Sequence, residues 1–139
     1  MKRLFIVIAL ALGLFIACDK SDNSEEIISG EIKDNSSQQE DLIFLSDLFI
    51  EISTISSSVV CTDGQDWKYT PYGHKACGGP LGYIAYHEKI NESSFLSKVK
   101  FYSHQQEIYN EKWELSSDCT VPPEPSAINC IEGTPVFIY

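Results

Sequence analysis

The side chains with the most specific chemistry in this sequence are thiols. Cysteine stands at positions 18, 61, 77, 119 and 130, and the last four are separated by 15, 41 and 10 residues. Four thiols can hold a structural metal ion or close as two disulfides. Zinc motifs usually pair ligands with two to four residues between them, and none of these gaps offers that spacing. His74 and His87 lie on either side of Cys77 but in polar segments, so no metal ligand set is assigned. Disulfides need only an oxidising compartment, where an even number of cysteines closes as pairs; four allow three connectivities.

Other chemistry finds less support. The run Lys75-Ala76-Cys77-Gly78-Gly79-Pro80 lacks the Gly-x-x-x-x-Gly-Lys-Ser/Thr order of a phosphate-cradling loop. It reads as a turn, in which paired glycines supply positive φ and Pro80 sets the exit direction. His74, His87 and His104 could act as bases, yet no serine stands in a Gly-x-Ser-x-Gly setting. Acidic residues are abundant, so a carboxylate pair for glycosidase chemistry is not marked by number alone; Asp63 and Asp66, close to Trp67, are the candidates. No catalytic residue and no cofactor is assigned.

Export is read from the start of the chain. Lys2 and Arg3 precede fourteen uncharged residues, 4–17, and then Cys18. That apolar length suits a signal peptide rather than the roughly 20 residues of a spanning helix. Phe15-Ile16-Ala17 has one small residue where an ordinary cleavage site has two. Ala17-Cys18 instead resembles the lipobox of bacterial lipoproteins, with Phe15 where that pattern usually has Leu or Val. The resemblance implies cleavage before Cys18 and acylation of its thiol, palmitate included. Each buried methylene is worth about 0.8 kcal/mol, so several chains anchor stably. It places the chain in a bacterial cell envelope, with the outer membrane, facing the periplasm or the surface, the expected destination; an acidic residue after the lipidated cysteine, here Asp19, resembles sorting signals of both kinds, so inner and outer membrane stay open.

Cleavage removes Lys2 and Arg3, leaving 8 basic against 20 acidic residues, a formal charge of −12. A body so acidic is repelled by phosphate backbones, which argues against nucleic acid partners. Eight acidic residues, two lysines and no aromatic residue fall between positions 19 and 41. Such a stretch buries too little apolar area to offset its ordering entropy. The expected organisation is therefore a signal peptide (1–17), the lipidated cysteine with a flexible tether (18–40), and a head (41–139).

The head reads as α+β, with two helices and short strands. Leu42, Leu45, Phe49, Ile52, Ile55 and Val59 keep helical period, which predicts a helix from Asp41 to about Ser57. Asn91 can cap a second helix, whose stripe is Phe95, Val99, Tyr102, Tyr109 and Trp113. Between them, Trp67 and Tyr69 share a face if extended. Residues 82–86 fit a strand or a short helix starting at Pro80, and residues 135–139 fit a strand. If the helices form an antiparallel hairpin, Cys61 and Cys119 fall at opposite ends. That arrangement favours Cys61 with Cys77 and Cys119 with Cys130. Residues 61–139, above all WKYTPYGHKACGGPLGYIAYHEKI and SDCTVPPEPSAINC, resemble small uncharacterised envelope lipoproteins. That resemblance implies a shared head and no particular activity.

Two surfaces are candidates for binding an envelope protein or glycan. Tyr69, Tyr72 and Tyr86 fall outside the helical stripe and could stack on a partner. The segment Val121-Pro122-Pro123, inside a loop closed by Cys119 and Cys130, would be preorganised. Its Cys-Thr start and Pro-Pro pair are similar to the reactive loop of Bowman-Birk protease inhibitors, although Pro122 directly follows Val121. The expectation is a binding module, with a protease inhibitor as its alternative; oligomeric state is not legible.

Overall fold

The computed structural model describes residues 30–139; the expected signal peptide, Cys18 and the first part of the expected tether lie outside the described residues. The head has two helices and two antiparallel two-stranded sheets, an α+β fold. Helix α1 spans Gln38–Ser56 and opens on a capping box. Ser37 Oγ accepts from Glu40 N (3.3 Å) while the Glu40 carboxylate accepts from Ser37 N (2.7 Å), satisfying two otherwise orphaned donors. Its buried face is Asp41, Leu45, Leu48 and Ile52, whereas Leu42, expected inside, is 45 % exposed. Helix α2 spans Glu92–Lys112, is capped by Asn91, and buries Phe95, Val99, Tyr102, Gln105 and Tyr109. The helices run antiparallel: Lys98 pairs with Glu51 near one end and Lys112 with Asp41 at the other.

Strands β1 (Trp67–Tyr72) and β2 (Gly82–His87) pair from Trp67↔His87 to Tyr72↔Gly82. Residues 82–86 are thus strand, since the aromatic and β-branched side chains there find partners on both faces. One face carries Tyr72, Ile84 and Tyr86 into the helical core. The other carries Trp67 and Ala85 against Ile128, Cys130 and Phe137. Those last three belong to β3 (Ala127–Ile131) and β4 (Thr134–Ile138), a hairpin that covers the second face. Its two-residue turn, Glu132 (φ 50°) and Gly133 (φ 79°), has both φ values positive, as the twist of a tight hairpin favours. The β1–β2 pair is therefore a middle layer, which explains why Ile84, Ala85, Tyr86 and His87 are all buried despite strand alternation.

The disulfide joins Cys61 to Cys130 and replaces both expected pairings. Cys61 follows α1, and the hairpin returns to that end of the head, where Cys61 N donates to Gly133 O (2.8 Å). Strand β1, about 20 Å long at ~3.3 Å per residue, carries the chain toward Cys77 at the opposite end, where His74 O accepts from Asn110 Nδ2 of α2 (2.7 Å). Cys61 and Cys77 are thus separated by the sheet itself.

The head also begins earlier than residue 41. Ile32 is buried, and its N–H donates to Oε1 of Gln105 (2.8 Å), itself 1 % exposed. Residues 30–40, expected as tether, belong to the folded body. What binds them is Asp41, 2 % exposed. Its Oδ1 accepts from Ser36 Oγ (2.5 Å), and its Oδ2 accepts from Lys112 Nζ (2.8 Å) and Trp113 Nε1 (3.0 Å). The same ammonium donates to the carbonyls of Lys33 (2.6 Å) and Ser36 (2.9 Å).

Burial alone would raise the Asp41 pKa, but hydrogen bonds from Lys112, Ser36 and Trp113, with the Lys112 charge, outweigh it and hold the carboxyl below its ordinary value. A carboxyl whose folded pKa is depressed contributes stability above its unfolded pKa, about 3.9, and loses it as pH falls toward the folded value. Asp41→Asn should lower stability at pH 7 by about 3 kcal/mol, because the Lys112 ammonium, its side chain only 17 % exposed, is left without its counter-ion in a largely covered site. Urea unfolding at pH 7 and pH 3 checks this: the wild type should lose more stability on acidification than the variant, and parallel losses would count against the network.

Candidate binding cleft

The backbone of β1 dictates the site. In an antiparallel pair, residues alternately bond across the pair and point away from it. Glu88 N donates to Asp66 O (3.0 Å), which sets the phase. Lys68 and Thr70 then face β2, while Trp67, Tyr69 and Pro71 turn their backbone groups outward. Pro71, with no N–H, sits where no ladder bond is lost. The same phase turns the Ala85 carbonyl to the far edge of β2, where it accepts from Ser56 Oγ of α1 (2.6 Å). One edge of the sheet is thus covered by a helix, and among the described residues the edge of β1 carries no strand partner.

Beside that edge lies a cleft of about 520 Å³, with Gln65, Lys68 and Tyr69 on one side and residues 126–128 on the other. Gly64, in the 3-10 turn Gly64–Asp66, brings the two walls together: a Cβ there would collide with the backbone carbonyl of Ile128. Asp63 shapes this turn by accepting from Gln65 N (2.9 Å).

Tyr69 is half-buried, its ring edge-on to Tyr83 (5.7 Å) and Phe137 (6.1 Å), and its hydroxyl donates to Glu124 Oε1 (3.3 Å). Burial and then the Glu124 carboxylate raise its pKa. Lys68 Nζ pairs with Glu92 (2.9 Å), which also accepts from the Tyr86 hydroxyl (2.9 Å). The Lys68 and Tyr86 hydrogen bonds keep Glu92 below its ordinary value, while burial and then Glu92 push Tyr86 up to about 12. Trp67 is 5 % exposed, and its indole N–H has no hydrogen-bond partner among the described residues. The site therefore combines a planar aromatic wall, a neutralised Lys–Glu pair and outward backbone groups, which suits binding.

Other candidate residues are distributed differently from expectation. Tyr72 is not a surface anchor: it packs on Phe49 (5.3 Å) and Tyr102 (6.4 Å). Tyr86 is 4 % exposed and stacks near Phe95 (5.1 Å), although it borders the cleft. Both lie on the helix-facing side of the sheet, an assignment hidden until β1 and β2 are paired. Val121 is 74 % exposed and Pro123 exposed, with Pro122 half-buried. Because Cys130 bonds to Cys61, no disulfide closes residues 119–130 on themselves, and the inhibitor reading loses its preorganised loop. Cys77 and Cys119 are both exposed and free.

The histidines divide. His87 is buried against Trp67, and its Nδ1 accepts from Lys89 N (3.0 Å). His74 and His104 flank Glu107 on α2 at 3.7 and 3.4 Å. Among the described residues, no group of three or more His, Cys, Asp or Glu is placed to hold a metal ion, and no helix is long and apolar enough to cross a membrane.

Gln65 and Lys68 were not among the expected binding residues. Their only sequence signal is proximity to Trp67, and the opposing wall depends on β3, which has no clear strand pattern of its own. No family model, curated protein or solved structure matches the chain. Gly64→Ala should force the two walls apart and lower stability by about 1–3 kcal/mol, as overpacking does. Urea midpoints followed by tryptophan fluorescence are the readout; an unchanged midpoint would show that the approach is not constrained.

Proposed function

We propose that this protein is a lipid-anchored bacterial envelope lipoprotein, acylated at Cys18, whose head binds an extended polypeptide along the open edge of β1. The anchor reading rests on Lys2 and Arg3, the apolar run that follows and the Ala17-Cys18 pair. The binding reading rests on one observation, the outward backbone groups of Tyr69 beside an aromatic-walled cleft. An added strand gains main-chain hydrogen bonds from such an edge and specificity from the neighbouring side-chain pockets. Pro71 ends the donor row, so pairing is confined to the first residues of β1. At about 520 Å³ the cleft has the size of a ligand site. The reading assigns no catalytic role, cofactor or nucleic acid partner.

Two measurements test it separately. In cells, the full chain should partition into detergent with the membrane fraction, and Cys18→Ser should move it to the aqueous phase; equal partitioning of both would remove the anchor. A photoreactive residue at Gln65 should give a discrete polypeptide adduct, whereas one at Ile50, exposed on the outer face of α1, should give none. Absence of an adduct at Gln65, or the same adduct at both positions, would remove the edge as the binding surface.

A further inference from the structure

The run around Cys77 plays no part in the cleft. It forms the tip of the loop between β1 and β2, where Lys75 N donates to Gly79 O and Gly78 N to Lys75 O, both at 2.8 Å. Gly78 and Gly79 hold φ of 95° and 82°, and nothing among the described residues lies within 4 Å of a Cβ built at either, so the tip is exposed. The chain after α2 runs past this tip. Cys77 N donates to Ser117 Oγ (3.3 Å), Cys77 Sγ donates to Asp118 O (3.1 Å), and Lys75 Nζ holds both the Asp118 carboxylate (2.5 Å) and the Thr120 carbonyl (2.6 Å). These contacts bracket Cys119 on both sides. The segment that carries Cys119 is thereby held against Cys77, and both thiols are exposed.

We propose that Cys77 and Cys119 form a solvent-accessible dithiol–disulfide site that closes and opens by thiol–disulfide exchange, latching the β1–β2 loop onto the chain after α2. The oxidant is a small-molecule disulfide. The Cys77 thiolate attacks one of its sulfurs, forming a mixed disulfide and releasing the first thiolate. The Cys119 thiolate then attacks Cys77 Sγ and releases the second. The protein gives up two electrons and two protons, and one external disulfide becomes two thiols. A small thiol runs the steps in reverse.

Cys77 is the attacking sulfur. The Ser117 hydroxyl donates to Cys77 Sγ (3.4 Å) and the Lys75 ammonium stands two residues away, so hydrogen bonding with Cys119 and then Ser117, with the Lys75 charge, holds its pKa below the ordinary thiol value. Exchange requires an incoming thiolate to reach sulfur. The other bond offers far less access: Cys61 is 3 % exposed and packed with Trp67 and Ala85, and Cys130 is partly buried against the same cluster. The two cysteine pairs thus divide into an inert staple and an exchangeable latch.

The full chain, equilibrated in glutathione buffers of graded poise, is alkylated, then digested so that Cys119 and Cys130 fall in separate peptides. Cys18 is scored on its own peptide. The expected result is a Cys77–Cys119 cross-link that appears and disappears reversibly with poise while Cys61–Cys130 stays closed throughout. Cys77 and Cys119 remaining alkylated in oxidised buffer, a cross-link between the two pairs, or earlier opening of Cys61–Cys130 would each overturn the proposal. Single variants test the order of attack on a protein that keeps its staple. Cys119→Ser should accumulate glutathione on Cys77 at least several-fold faster than Cys77→Ser accumulates it on Cys119. The reverse ratio would refute Cys77 as the attacking sulfur.

Discussion

A two-stranded sheet is marginal by itself in water, and the whole head is arranged around covering both faces of one. The helical face of β1–β2 receives Phe95, Val99, Tyr102, Leu48 and Ile52, and the opposite face receives the β3–β4 hairpin. The two covers differ in how they are held. Helices bring a continuous apolar stripe and need little more. The hairpin offers only Ile128, Cys130 and Phe137 inward and leaves Ile131, Val136 and Ile138 on its outer face. Its attachment therefore depends on Cys61–Cys130, a link across 69 residues, which the chain-entropy account values at about 4 kcal/mol. It depends equally on the close backbone approach that Gly64 allows.

Charge is handled by local pairing within an acidic chain. With twenty Asp and Glu against ten Lys and Arg, each basic group near the core has a specific use. Lys112 neutralises Asp41 and gathers the carbonyls that precede α1, so one ammonium fastens residues 33–36 to the far end of α2. Lys98 joins the helices through Glu51, and Lys68 settles Glu92 at the cleft. Surface pairs of the last kind contribute little to stability; the buried Asp41 pair governs where the folded body starts.

These constraints also leave one edge of the sheet open. Helix α1 covers the outer edge of β2 through Ser56, while the hairpin packs against the face of β1 rather than beside it. An uncovered strand edge is a liability in a soluble domain unless it is short or interrupted, and Pro71 and Lys68 supply both limits. The cleft is the space left between a strand edge and a hairpin joined to it at Gly64.

Much of the architecture was legible in local patterns. Helical period marked α1 and α2 because a repeat of buried positions reports one-sided packing, and Asn91 marked the start of α2. The α+β class and the use of cysteines as a disulfide staple followed from the same reading. Which cysteines pair was decided only by tertiary structure, because pairing depends on where β1 and the β3–β4 hairpin carry the chain, and Ala127–Ile131 has too weak a pattern to announce a strand. The same holds for Tyr72 and Tyr86, whose burial depends on strand register, and for Asp41, a residue that reads as solvated until Lys112 and Trp113, more than seventy positions away, close over it. Sequence reports the periodicity of a single element; contacts between elements set the pairing, the cleft and the burial of charge.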